Sequence, residues 1–171
     1  MIPLKLTVEN FKSYRGDVPT LHLQGVHIAC LCGANGHGKS SLLDAMAWAL
    51  WGDAVHRPQE ELVHVGEQNM RVELEFIAGG SAAGDARGDG STLRPRSGQA
   101  GSPRTVYRVI RRYARGRGAR AGATDLQLQV LVGQTQDDQE SEAEFRSISG
   151  NSVRETEAAI QTLVGMDYTT F

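Results

Sequence analysis

The sequence predicts an α/β fold: a glycine loop and its following helix form one part, and an antiparallel sheet forms the other. Two observations carry this. A mostly apolar run at residues 26–32 leads straight into the glycine-rich segment 33–38 and then into an apolar pattern at helical spacing, giving strand, loop and helix in that order. Farther along, three segments alternate apolar and polar residues with no helical pattern between them, so antiparallel pairing is expected. The 171 residues suffice for one domain with a real core.

Taken in order, Leu4, Leu6 and Val8 alternate with Lys5, Thr7 and Glu9, the pattern of a half-buried strand. A turn through residues 13–17 leads to a short alternating run, Leu21-His22-Leu23, which Gly25 ends. Residues 26–32 read as a buried strand. After the loop, Leu42, Leu43, Ala45, Met46, Ala49 and Leu50 make one helix over 41–51, with Gly52 as its C-terminal cap. Residues 53–66 are mixed, with a short helical turn after Pro58. Residues 71–77 place Val72, Leu74 and Phe76 opposite Glu73 and Glu75, and strands follow at 106–113 and 126–132. Ser152 is set to cap a helix over 152–164, with Glu155 three residues later completing a capping box and Gly165 ending it.

Three segments lack such patterning. Residues 78–104 consist largely of Gly, Ala, Ser, Arg and Asp, too poor in apolar groups to repay ordering, and are expected to form a flexible hairpin insertion. A second flexible turn is expected at 116–124, and an acidic surface loop at 134–144.

A net charge of −2 excludes a global basic field, so contact with DNA would need a local patch or a partner. Cys30 and Cys32 fall on one side of the predicted strand and read as small buried thiols. Two thiols without further ligands make a poor zinc site, and no disulfide is expected. The N-terminus lacks a basic-then-apolar leader, and no apolar run approaches the roughly 20 residues of a membrane span. These features suit a soluble, cytoplasmic protein.

Gly33-Ala34-Asn35-Gly36-His37-Gly38-Lys39-Ser40 matches G-x-x-x-x-G-K-[ST] without a gap. Such a turn points successive backbone N–H groups into one concavity at a helix N-terminus, which attracts a phosphate chain. Lys39 supplies a point charge for the β- and γ-phosphates of ATP, and the Ser40 hydroxyl is the hard oxygen donor that Mg²⁺ prefers. Hydrolysis needs more: an acidic residue on a second buried strand, to hold the metal and direct water. The nearest candidate, Leu163-Val164-Gly165-Met166-Asp167, closes a helix and contains glycine, so it does not qualify. No Leu-Ser-Gly-Gly signature occurs, and no catalytic residue is assigned.

Asn10-Phe11-Lys12-Ser13-Tyr14 resembles the opening of Rad50, SbcC and chromosome-maintenance ATPase heads. Asn35-Gly36-His37-Gly38-Lys39-Ser40-Ser41, Leu42-Leu43-Asp44-Ala45-Met46 and Ala49-Leu50-Trp51-Gly52 are similar to the Rad50/SbcC loop and helix. Ser41 and Trp51-Gly52 favour that branch over the chromosome-condensing one. Val72-Glu73-Leu74-Glu75-Phe76 and Tyr107-Arg108-Val109-Ile110-Arg111-Arg112 look like the family's hairpin. Thr156-Glu157, Ile160 and the run from Leu163 to Phe171 resemble the segment before its glutamine loop.

The resemblance implies the N-terminal lobe of an ABC-type ATPase head, a P-loop NTPase with an antiparallel β-subdomain. It implies that Gly33 and Asn35 to Ser41 surround the phosphates and that Lys12 approaches the nucleotide from outside the loop. It also implies that Val63, His64 and Val65 lie beside the nucleotide. Lys12 stands where Arg is usual, keeping charge but losing the planar fork. Lys12 as a surface charge and His64 as a loop residue without contact are the plainer alternatives, and Asp44 reads as structural.

The implied partners are the C-terminal half of its own head, a second head joined through ATP, an Mre11/SbcD-like nuclease, and DNA through the assembled complex. The coiled coil, zinc hook, signature and metal-directing acids would follow Phe171, so a fragment or a second completing chain is expected. An SMC-, RecF- or RecN-like head, and a nucleotide-binding module without turnover, are the alternatives.

Overall fold

The computed structural model describes residues 1–16, 18–53, 57–78, 105–116, 121–134 and 143–165. The elements run β1 (Ile2–Glu9), β2 (Leu21–His22), α1 (Lys39–Trp51), α2 (Gln59–Leu62), β3 (Asn69–Ala78), β4 (Thr105–Ala114), β5 (Ala123–Gln134), β6 (Ala143–Ser147) and α3 (Val153–Val164). The strands form one six-stranded sheet in the order β2-β1-β3-β4-β5-β6, and every neighbouring pair is antiparallel.

The alternation read in the sequence sets which face is covered. Met70, Val72, Leu74, Phe76 and Ala78 of β3 all point to the same side and are buried, beside Leu6 and Val8 of β1 and Leu126 and Leu128 of β5. Helix α1 lies on that side against β3 and β4, and α3 lies against β5 and against α1. Trp48, which is fully buried, anchors this layer, with the Phe11 ring at 5.8 Å. The opposite face carries a charge ladder. Arg108 lies 3.3 Å from Glu73 and 2.7 Å from Glu75, and its guanidinium sits 3.6 Å from the centre of the Phe145 ring. Such half-exposed pairs contribute up to about 1 kcal/mol each, so they keep this face polar more than they hold the fold.

Helix ends follow local chemistry. Gly165 in the left-handed conformation ends α3, and Ser152 begins it: its hydroxyl accepts the Glu155 N–H at 3.2 Å, while the Glu155 carboxylate accepts from the Asn151 N–H at 2.8 Å. The short helical turn expected after Pro58 is α2.

Three expectations change. Residues 26–32 do not form a strand, and they are exposed, with Ile28 94% exposed. A strand is stable only when a neighbour takes up its backbone N–H and C=O groups, and among the described residues none lies beside this segment. Cys30 and Cys32 do face one way, with Sγ atoms 3.4 Å apart, but both are exposed free thiols instead of buried ones. The surface loop expected at 134–144 is trimmed at both ends, since Gln134 closes β5 and Ala143 opens β6. Strand β6 gave no sequence signal because it is an edge strand with no buried residue. Ala78, taken as the start of the insertion, is the buried last residue of β3; residues 79–104 lie outside the described residues, as do 117–120 of the second expected turn.

Candidate phosphate-binding site

The site is built where the turn after β1 meets the start of α1. Asn10 and Lys12 both adopt positive φ, 51° and 48°, which turns the chain sharply out of β1. A set of backbone bonds to the segment after α2 holds this turn. Lys12 N–H donates to the Leu62 carbonyl at 2.7 Å, His64 N–H donates to the Asn10 carbonyl at 2.8 Å, and Phe11 bridges Val63. The His64 ring adds a bond from Nδ1 to the Lys12 carbonyl at 2.7 Å, which places its proton on Nδ1. The Asn10 side-chain oxygen accepts the Gly16 N–H at 2.8 Å. The turn therefore presents Ser13 and Tyr14 to the glycine loop in a set orientation.

The loop closes onto α1 through Gly38, the residue before the helix, with φ 82°. The Tyr14 hydroxyl donates to the Gly38 carbonyl at 3.0 Å, and a Cβ on Gly38 would lie 3.1 Å from the Tyr14 ring. Glycine is thus needed here for its backbone angle and for the close approach of the ring. Burial raises the Tyr14 pKa, which keeps its donor proton in place.

Ser13, Asn35, Gly36, Gly38, Lys39, Ser40 and Ser41 line a cavity of about 230 Å³ at the N-terminus of α1. Helix N–H groups point into it, so it favours an anion. Lys39 folds back over the loop, with Nζ donating to the carbonyls of Gly33 at 2.7 Å and Ala34 at 2.8 Å. A phosphate in the cavity would offer this ammonium a charged partner in exchange for two neutral ones. A larger cavity of about 390 Å³ lies at one end of the sheet, lined by Met70, Tyr113 and Asp125 among others; it has no loop of convergent amides.

The structure brings Asn35, Gly36, Gly38, Lys39, Ser40 and Ser41 together in one lining, whereas Lys12, Val63, His64 and Val65 are not part of it. Lys12 Nζ lies 2.5 Å from Asp44 Oδ2 on α1. This pair ties the β1 turn to the helix and uses both charges, which agrees with a structural role for Asp44. Val63 is in the core, and Val65 is 88% exposed. Ser13 and Tyr14 are site residues that the loop pattern does not name. Their only signal was their place in the Asn10-to-Tyr14 run.

For Mg²⁺ the fit is partial and specific. Ser40 supplies one hydroxyl at the cavity, and among the described residues no cluster of His, Cys, Asp or Glu could hold a metal. One protein oxygen with phosphate oxygens and water is a donor set Mg²⁺ accepts, as an ion carried by its nucleotide.

A family model described as the AAA domain matches residues 5–167. The SbcC component of the SbcCD nuclease of Deinococcus radiodurans is 28% identical over 174 residues, covering all of this chain and 15% of that protein. The DNA double-strand break repair Rad50 ATPases of Thermoplasma acidophilum and Thermoplasma volcanium are 38% and 36% identical over 80 residues, 47% of this chain and 9% of each relative. Over the described residues, no helix is long and apolar enough to cross a membrane. The helix-covered antiparallel sheet and its phosphate loop agree with an ABC-ATPase head lobe. With a family match spanning almost its whole length and its glycine loop folded into an anion-seeking cavity, the chain belongs to the AAA domain family, in the company of the SbcC and Rad50 ATPases.

Proposed function

We propose that this chain is the ATP-binding N-terminal lobe of a Rad50/SbcC-like ATPase acting in DNA double-strand-break repair in the cytoplasm. The observation that carries this is the shared cavity of the loop amides, Lys39 and Ser40 at the head of α1. In binding, the loop amides and the helix N-terminus take the phosphates, and Lys39 leaves the Gly33 and Ala34 carbonyls for the β- and γ-oxygens. Mg²⁺, when bound, bridges phosphate oxygens and the Ser40 hydroxyl and offsets charge at the γ-phosphate.

Nothing among the described residues positions an attacking water, so hydrolysis waits for the C-terminal half of the head. The exposed apolar residues Val26, Ile28 and Leu31 support such a completing half, because a segment of this composition gains stability only when covered. A second head joined through ATP, an Mre11/SbcD-like nuclease and DNA held by the assembled complex complete the reading. Lys12 and the Val63-to-Val65 segment belong to it as the border of the nucleotide site.

The test is calorimetric titration of ATP with Mg²⁺ into this chain and into Lys39→Ala, followed by turnover assays with and without a C-terminal half. The reading expects at least tenfold weaker binding in the variant, about 1.4 kcal/mol, and turnover only in the mixture. Equal affinity in both proteins sinks the site. Substantial hydrolysis by this chain alone sinks the need for completion.

A further inference from the structure

Cys30 and Cys32 stand immediately before the phosphate loop, and nothing in the nucleotide reading uses them. Both are exposed, and their Sγ atoms lie 3.4 Å apart on one side of an extended segment. That is within closing distance of the roughly 2.05 Å of a disulfide. The segment is not held in a sheet, so its backbone can shorten to bring the two Cα atoms within the span a disulfide tolerates. No third ligand is near enough to make this a metal site among the described residues.

The geometry points to Cys30 and Cys32 as a dithiol that closes to a disulfide on reaction with a small-molecule disulfide, and whose closure reshapes the start of the phosphate loop. In the first step one cysteine thiolate attacks the small disulfide, forming a mixed disulfide and releasing one small thiolate. The second cysteine thiolate then attacks the protein sulfur of that mixed disulfide and releases the other. The chain loses two protons and two electrons, and the small disulfide is reduced to two thiols.

Closure reaches the nucleotide site through one residue. Cys32 precedes Gly33, whose carbonyl, with that of Ala34, is the anchor of Lys39. Drawing Cys30 and Cys32 together shifts that carbonyl and the first turn of the loop with it. The effect on nucleotide rests on the function proposed above; the closure itself does not.

The experiment uses glutathione disulfide as the probe. After incubation, the intact mass is expected to fall by two hydrogens with no glutathione adduct retained, whereas Cys30→Ser is expected to keep one adduct on Cys32. ATP affinity of the closed form is expected to fall about tenfold, within the usual range for coupling between two sites. It should recover on reduction, and Cys30→Ser and Cys32→Ser should bind ATP like the reduced chain. Two unreacted thiols, or an adduct on each cysteine without closure, overturn the proposal. So does a closed form that binds ATP as tightly as the reduced chain. If the reduced chain itself binds no ATP, the nucleotide reading fails, and the mass measurement alone decides the disulfide.

Discussion

Arg111, fully buried on β4, reaches across the core to Glu157 on α3: Nη1 lies 2.7 Å from Oε1, while Nε donates to the Ala49 carbonyl of α1 at 3.2 Å. One side chain thereby joins the sheet to both helices. Desolvation lowers its pKa, and the Glu157 carboxylate opposes that shift. Removing the carboxylate would leave a buried cation with a neutral partner. Glu157→Gln should therefore destabilise the fold by about 2 kcal/mol, less than the usual cost for a fully buried pair because Glu157 is itself partly exposed. Urea denaturation at neutral pH would read this. A double replacement by Met at both positions should recover most of the loss; a double variant as unstable as Glu157→Gln would argue against charge burial as the cause.

Gly52, the cap of α1, belongs to the same cluster. Its φ is 72°, and an added Cβ would lie 2.7 Å from Arg111 Nη1 and 2.9 Å from the Glu157 carboxylate. Gly52→Ala should cost more than about 2 kcal/mol, combining the left-handed penalty with displacement of the ion pair. Because the two sites touch, its effect and that of Glu157→Gln should be less than additive in a double-mutant cycle.

Tyr113 offers a pH test. Its hydroxyl donates to Glu60 Oε1 at 2.6 Å, and burial, then the Glu60 carboxylate, pushes its pKa up to about 12. The folded state thus holds the phenolic proton more tightly than the unfolded chain, whose value is near 10. This contribution is fully present below about pH 10 and is lost as pH rises from there towards about 12. Denaturation midpoints across that range should fall more steeply for the parent protein than for Tyr113→Phe. Parallel curves would exclude Tyr113 as the source of the pH dependence.

At the phosphate loop, Tyr14→Phe and Gly38→Ala separate a hydrogen bond from a backbone requirement. The first keeps the ring and loses the bond to the Gly38 carbonyl, so ATP should bind about fivefold more weakly, near 1 kcal/mol. The second forces a Cβ to 3.1 Å from the ring at a φ of 82° and should abolish measurable binding. Titrations of both variants, with circular dichroism to confirm folding, check this; wild-type affinity in Gly38→Ala would mean that the loop does not need its observed shape.

Both long helices were legible before any coordinates, because caps and apolar spacing act between residues a few positions apart. Ser152 with Glu155, and Gly52 and Gly165 at the C-termini, needed no distant partner to set where α3 and α1 stop. The same holds for the alternation in β1 and β3 and for the order of Gly33 to Ser41. Arg111 was different. Its place on the inner side of β4 follows from alternation, but a buried guanidinium becomes tolerable only when Glu157 and the Ala49 carbonyl, far away in the chain, arrive beside it.

Residues 26–32 show the converse. Their composition suits a strand, yet a strand exists only when another backbone accepts its hydrogen bonds, and among the described residues no such neighbour lies beside them. By itself the sequence determined what bonding between near neighbours can specify: helices, caps and the phosphate loop. The tertiary structure alone decided which strands pair, which charge is buried, that Lys12 meets Asp44 and that Tyr14 holds Gly38. Each of those depends on groups that only the folded chain brings within reach.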